Sequence, residues 1–133
     1  MKNNIPSDFP FIKDKKHIYN KFIDKEISSI NVGWSIFSIE LHSDLYEGEQ
    51  KVDGVCDWES HKIKLEMNLS DSDARETIIH ELYHCMLEGA GFDEKNFDLQ
   101  RMFLTNEQLV VCLSKQTMAL HHLNPKLLLA IYA

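Results

Sequence analysis

His80 and His84 stand four residues apart, with Glu81 directly after the first, so that Glu76-Thr77-Ile78-Ile79-His80-Glu81-Leu82-Tyr83-His84 contains a His-Glu-x-x-His motif. On an α-helix, residues i and i+4 share a face, which brings both imidazoles within reach of one cation. A zinc ion held with one open position lowers the pKa of its bound water from 15.7 to about 7. Glu81, one residue past the first ligand, is turned from direct ligation toward that water. It is the candidate general base, the group that takes the proton as the water attacks a carbonyl.

The motif needs a helix to work, and its flanks supply one. Ile78, Ile79, Leu82, Tyr83 and Met86 form an apolar stripe, Asp73 and Glu76 fit a capping box, and Gly89 and Gly91 offer a stop. The spacing predicts a helix over about 73–89.

A catalytic zinc takes three protein ligands, so two histidines require a partner. The extension His-Glu-x-x-His-x-x-Gly-x-x-His is excluded, because Leu87 stands at the glycine position and Ala90 at the last histidine. A glutamate from the following helix is the other common solution. Glu107, in Thr105-Asn106-Glu107-Gln108, falls in the first turn of the next predicted helix and is the chosen third ligand. Glu88, Asp93 and Asp98 are its rivals, Asp93 first among them. A first-turn carboxylate is also what the helix dipole favours without any metal. Glu76 lies one turn before His80, where it could orient the imidazole, although capping suffices to explain it. His121 and His122, near the end of the last long helix, read as helix-terminus histidines.

The remaining elements follow from periodicity. An extended lead-in over 1–11 precedes a helix over about 13–29 carrying Ile12, Ile18, Tyr19, Phe22, Ile23 and Ile27. From Trp34 to His42 the period changes to two, with Phe37, Ile39 and Leu41 alternating against Ser38, Glu40 and His42. A loop over 44–50, a second strand over 51–58 and a third over 61–67 come next, with a tight turn at Glu59-Ser60. His61 shares the apolar face of that third strand and reads as a core or edge residue. Residues 92–106 read as a loop over the site. Helical spacing resumes over 107–123, Asn124-Pro125 breaks it, and a short terminal helix follows. The expected fold is therefore α+β: an N-terminal helix, a three-stranded mainly antiparallel sheet, the motif helix and a C-terminal helix carrying the third ligand.

Length and composition bound the rest. The chain has 133 residues, 44% hydrophobic and 26% charged, which fits one domain with an ordinary core. Its formal charge of -7 opposes phosphate backbones and anionic lipid, so neither nucleic acid nor membrane is an expected partner. Lys13, Lys15, Lys16, Lys21 and Lys25 cluster, but beside Asp14, Asp24 and Glu26 they read as a solvated face. Cys56, Cys85 and Cys112 are odd in number and lack a Cys-x-x-Cys spacing, so they read as small buried hydrophobes. That reading, with no signal-peptide pattern at the N-terminus, points to the cytoplasm. The apolar run Leu127 to Ala133 is too short to span a bilayer, and its Leu127 to Tyr132 part offers a surface for a partner or a second copy.

With the motif segment and Asn106-Glu107-Gln108-Leu109-Val110-Val111 both in view, the chain resembles small gluzincin-like metallopeptidases over roughly residues 12–123. It is most similar to those encoded by phages and mobile elements, related in layout to the ImmA/IrrE-like group. The resemblance implies a zincin-like minimal domain in which His80, His84 and Glu107 hold Zn²⁺ and Glu81 is the base. It also implies a protein or peptide substrate paired in extended form with a strand beside the cleft, a role the third strand could fill. Two alternatives stand against it: a non-catalytic, metal-stabilised interaction module, and a SprT-like DNA-associated protease. The acidic charge and the lack of a zinc-ribbon cysteine set weigh against the second.

Overall fold

Seven of the helix's own residues decide where the motif sits. Ala74, Ile78, Glu81, Leu82, Cys85 and Met86 are buried along one side of the helix α3 (Asp71–Gly89), with the half-buried Thr77 among them. The computed structural model describes residues 8–92 and 106–133. Among these residues the chain makes five helices and six strands in a mixed α+β arrangement. They are α1 (Pro10–Lys13), α2 (Tyr19–Ile23), β1 (Ile30–Val32), β2 (Ser35–His42), β3 (Tyr46–Glu47), β4 (Gln50–Lys51), β5 (Gly54–Asp57), β6 (Lys62–Glu66), α3, α4 (Asn106–Leu123) and α5 (Pro125–Tyr132).

The main sheet has four strands in the order β1-β2-β6-β5, and β3-β4 forms a separate hairpin. The sheet has one strand more than the three expected; two of its three pairings are antiparallel, and one is parallel. β1 is an added edge strand, antiparallel to β2, and β2 pairs with β6 in parallel, Ile39 opposite Ile63 and Leu41 opposite Leu65. β1 escapes periodicity because only Ile30 and Val32 face the core, and three residues are too few to display a period. The turn that joins it to β2 uses Gly33 at φ +60, a left-handed conformation that glycine adopts without steric cost. The parallel pairing arises because the β5–β6 hairpin folds back so that β6 enters between β2 and β5.

Alternation sorts the two faces of the sheet. Phe37, Ile63 and Leu65 are fully buried against Ile78, Leu82 and Met86 in one continuous core with Ile30, Tyr19 and Leu127. The opposite face is polar: Glu40 accepts from Lys62 Nζ at 2.8 Å and from His42 Nε2 at 2.5 Å, and Lys64 faces Asp57 at 3.4 Å. Lys62 holds the Glu40 carboxyl below its ordinary range, with His42 adding to the effect.

The single N-terminal helix expected over 13–29 is instead two short helices. Of its apolar positions Ile18, Tyr19 and Ile27 are buried whereas Ile12 and Ile23 are exposed, and side-chain acceptors interrupt the helical ladder. The Asp71 carboxylate accepts the Ile18 N–H at 2.7 Å, and His17 Nδ1 accepts that of Tyr19 at 3.1 Å. The Asn20 amide donates to the carbonyls of Phe11, Asp14 and Lys15. Lys25 at φ 57 ends the segment.

At α3 the cap also differs from expectation. Ser70 is the N-cap, its hydroxyl accepting the Asp73 N–H, and Glu76 is an exposed residue inside the helix. Arg75 binds Asp71 and donates to the carbonyls of Ala130 and Ile131 at 2.8 and 2.7 Å, tying the end of α5 to the start of α3. In the C-terminal tail Leu127, Ala130 and Ile131 are in the core, whereas Leu129 and Tyr132 are exposed. No described helix is long and apolar enough to cross a membrane.

Candidate metal centre

One turn of α3 sets the histidines side by side. His80 Nε2 and His84 Nε2 are 3.2 Å apart, with ring centroids 4.9 Å apart and planes at 69°. Two imidazole nitrogens bound to one zinc at about 2.05 Å with tetrahedral angles lie about 3.3 Å apart, so the pair already has the separation a shared ion requires. The Glu81 carboxylate belongs to the same group, in which all ligand atoms lie within 4.8 Å of one another. His80 is exposed, whereas Glu81 is only 6% exposed, so the imidazoles face outward and the carboxylate sits behind them against the sheet.

The sheet reaches Glu81 through β5, its terminal strand. Gly54 and Cys56 are partners of Leu65 and Ile63, so they share the core-facing side of the strand, while Val55 and Asp57 face outward. A Cβ added to Gly54 would lie 2.8 Å from Glu81 Cγ and 2.8 Å from Thr77 Cγ2. The helix and strand approach this closely only because residue 54 has no side chain. Two residues on, Cys56 lies on the same side of β5, and its backbone is among the groups that lower the Glu81 proton affinity. Burial pushes the Glu81 carboxyl above the ordinary carboxylate range and Glu47 of β3 pushes the same way; His84, His80 and the Cys56 backbone pull against them. A buried carboxylate beside two metal-type donors, with a raised proton affinity, suits a group that must accept a proton.

Cys56 and Cys85 are joined as a disulfide, with Cα atoms 6.1 Å apart. This corrects their reading as small buried hydrophobes. The signal was absent from local sequence, because the two are 29 residues apart and meet only when β5 packs on α3. Cys112, on α4, is free.

The other expected residues fall as follows. Glu107 lies in the first turn of α4 and is exposed, and it is not among the grouped ligand atoms of the described residues. Asp93 and Asp98, and the loop expected over 92–106 from residue 93 onward, lie outside the described residues. Glu88 is on α3, one turn after His84. His121 and His122 are exposed in the last turn of α4. Tyr83 turns to α4, its hydroxyl 3.4 Å from Thr117 Oγ1. His61 is exposed at φ 54 in the β5–β6 turn and packs on Phe37 and Trp58. The third strand expected to receive a substrate, β6, is paired on both sides and has no free edge; among the described strands, β5, which packs on α3, is paired on one side alone.

Gly54, Cys56 and Glu47 are the site residues that sequence reasoning missed. Only Gly54 carried a signal, as an isolated glycine inside a predicted strand, which marks a close approach of backbone. No family model, curated protein or solved structure matches the chain.

Proposed function

We propose that this chain is a zinc-dependent endopeptidase of the small gluzincin type, similar to the metallopeptidases of phages and mobile elements and of the ImmA/IrrE-like group. The observation that carries the reading is the 3.2 Å separation of His80 Nε2 and His84 Nε2, with the Glu81 carboxylate within 4.8 Å of both. His80 and His84 would hold the ion through Nε2, and Glu107, brought up from α4, would complete the set. When bound, zinc supplies a water acidified to near neutrality.

Glu81 accepts that water's proton and passes it to the leaving amine. Its burial against the sheet holds the carboxylate beside the two imidazoles, where the water would sit. A peptide substrate lies extended along the edge of β5 away from β6, where main-chain hydrogen bonds orient the scissile carbonyl without demanding a particular side chain. The charge of -7 fits a protein substrate better than a nucleic acid. A cytoplasmic setting belongs to this proposal, and there the Cys56–Cys85 bond is one that cellular thiols can open.

The test is Glu81→Gln in the full chain loaded with zinc, assayed on fluorescent casein. Glutamine keeps the shape but cannot take a proton. Metal content should hold while cleavage falls by about 10² to 10⁴-fold. Cleavage at the wild-type rate rules out the base assignment.

A further inference from the structure

The main sheet ends at β1 on one side and at β5 on the other, and the fold treats the two edges differently. At β1 the side chain of Asn124, itself only 6% exposed, takes the place of a neighbouring strand: its Oδ1 accepts the Asn31 N–H at 2.7 Å and its Nδ2 donates to the Asn31 carbonyl at 2.7 Å. Among the described strands, β5 is paired with β6 alone. The Glu66 N–H donates to the Asp53 carbonyl at 2.8 Å. By the alternation of an antiparallel ladder, Asp53, Val55 and Asp57 then turn their main-chain groups toward β6, and Gly54 and Cys56 turn theirs away from it. β5 also runs alongside α3 in the same direction, Gly54 level with Thr77 and Glu81, Cys56 with Cys85, and Trp58 with Gly89. The outward groups of Gly54 and Cys56 therefore lie level with the turn of helix that carries His80 and His84.

The side chains of Gly54 and Cys56 face α3, whereas those of Asp53, Val55 and Asp57 share the other face. The bases of that face are already engaged, Lys64 with Asp57 at 3.4 Å and Lys62 with Glu40 at 2.8 Å. Asp53 is exposed and, among the described residues, makes no ion pair. From residue 47 to 59 the chain carries five acids, Glu47, Glu49, Asp53, Asp57 and Glu59, and one base, Lys51, which faces Asp44 at 3.4 Å.

We infer that the edge of β5 selects a basic extended segment, with Lys or Arg two residues to either side of an apolar one, as the peptide it holds beside the two histidines; this rests on the peptidase reading above. In antiparallel pairing the apolar residue stands opposite Val55, its two neighbours exchange main-chain hydrogen bonds with Gly54 and Cys56, and the two basic residues stand opposite Asp53 and Asp57. The main-chain bonds demand no particular side chain, so the acids supply the selectivity. Asp57 is shared with Lys64 and contributes the lesser part. The same acids turn away a second copy of this chain, because two β5 strands paired antiparallel about Val55 would set Asp53 against Asp57 twice.

The experiment uses the full chain as Glu81→Gln, treated with zinc, so that binding is read without cleavage. The probes are two fluorescein-labelled peptides built on Lys-Thr-Val-Thr-Lys and Glu-Thr-Val-Thr-Glu. By anisotropy the lysine peptide should bind about tenfold or more tighter than its twin, and the ¹⁵N amide shifts should fall on residues 54–57. N-methylation of both threonine amides removes the main-chain donors toward Gly54 and Cys56 and should abolish binding. Asp53→Lys should cut the preference by about threefold or more, whereas Asp24→Lys, the same change of charge at the end of α2, should keep it. Binding of neither peptide, equal binding of both, or an equal loss in Asp24→Lys would overturn the inference. Wild-type chain in zinc separates the two claims. Selective binding without cleavage refutes the peptidase reading and upholds the edge, whereas both peptides cut at one rate uphold the peptidase and refute the selectivity.

Discussion

Gly54→Ala isolates the packing that seats the base. The glycine is not in the left-handed region, so alanine meets no backbone penalty and the whole effect comes from one methyl group. That methyl would sit 2.8 Å from both Glu81 Cγ and Thr77 Cγ2, about 0.6 Å inside the closest comfortable carbon contact. Neither atom is the free end of a flexible side chain, so β5 must retreat from α3. Overpacking of this kind costs about 1–3 kcal/mol, or roughly 3–10 °C in Tm for a chain of this size. Displacing Glu81 by a fraction of an ångström should cut kcat by about 10 to 10²-fold. Zinc content should hold, because the clash falls on Glu81 and Thr77. Gly48→Ala is the control: φ is +63 and nothing lies within 4 Å, so strain costs about 1 kcal/mol and the site is untouched. The assays are thermal melts, elemental analysis and casein hydrolysis. Wild-type Tm and rate in Gly54→Ala would refute the close approach of β5 to Glu81.

Two further outcomes follow from the same contacts. Opening the Cys56–Cys85 bond releases a loop of sequence separation 29, worth roughly 3–4 kcal/mol, so Tm should fall by about 10–15 °C in reductant and not at all in Cys85→Ala. In chelator, Glu81→Gln should be more stable than wild type by about 1 kcal/mol at pH 7.5, the cost of a charge left buried. Burial raises the folded-state proton affinity of Glu81, so its stability contribution is present below the ordinary carboxylate range and is lost as pH rises through the raised value. The advantage of the glutamine should therefore vanish near pH 4, and melts across this range check it.

The motif helix was legible because its evidence is local: the four-residue spacing of His80 and His84, the apolar stripe through Ile78 and Leu82, and Gly89 at the end. α4 and α5 were legible for the same reason, with Asn124-Pro125 dividing them at the expected place. Strand β2 kept its alternation from Phe37 to Leu41. What failed was non-local. Asp71 and His17 claim the N–H groups of Ile18 and Tyr19, and this breaks a helix whose own pattern is continuous. The parallel register of β2 with β6 depends on how a later hairpin folds back, which no local period encodes. Cys56 meets Cys85 through the packing of β5 on α3, and Gly54 meets Glu81 the same way, so neither contact has a signature in spacing.

Zinc per chain, measured by elemental mass spectrometry on protein purified without chelator, bears most directly on the proposed metal centre. About one zinc per wild-type chain is expected, with near-complete loss in His80→Ala and His84→Ala and clear loss in Glu107→Ala. Zinc retained in Glu107→Ala alone would move the third ligand to Asp93 or Asp98. Wild-type protein that takes up no zinc even after reconstitution would contradict the metal centre itself.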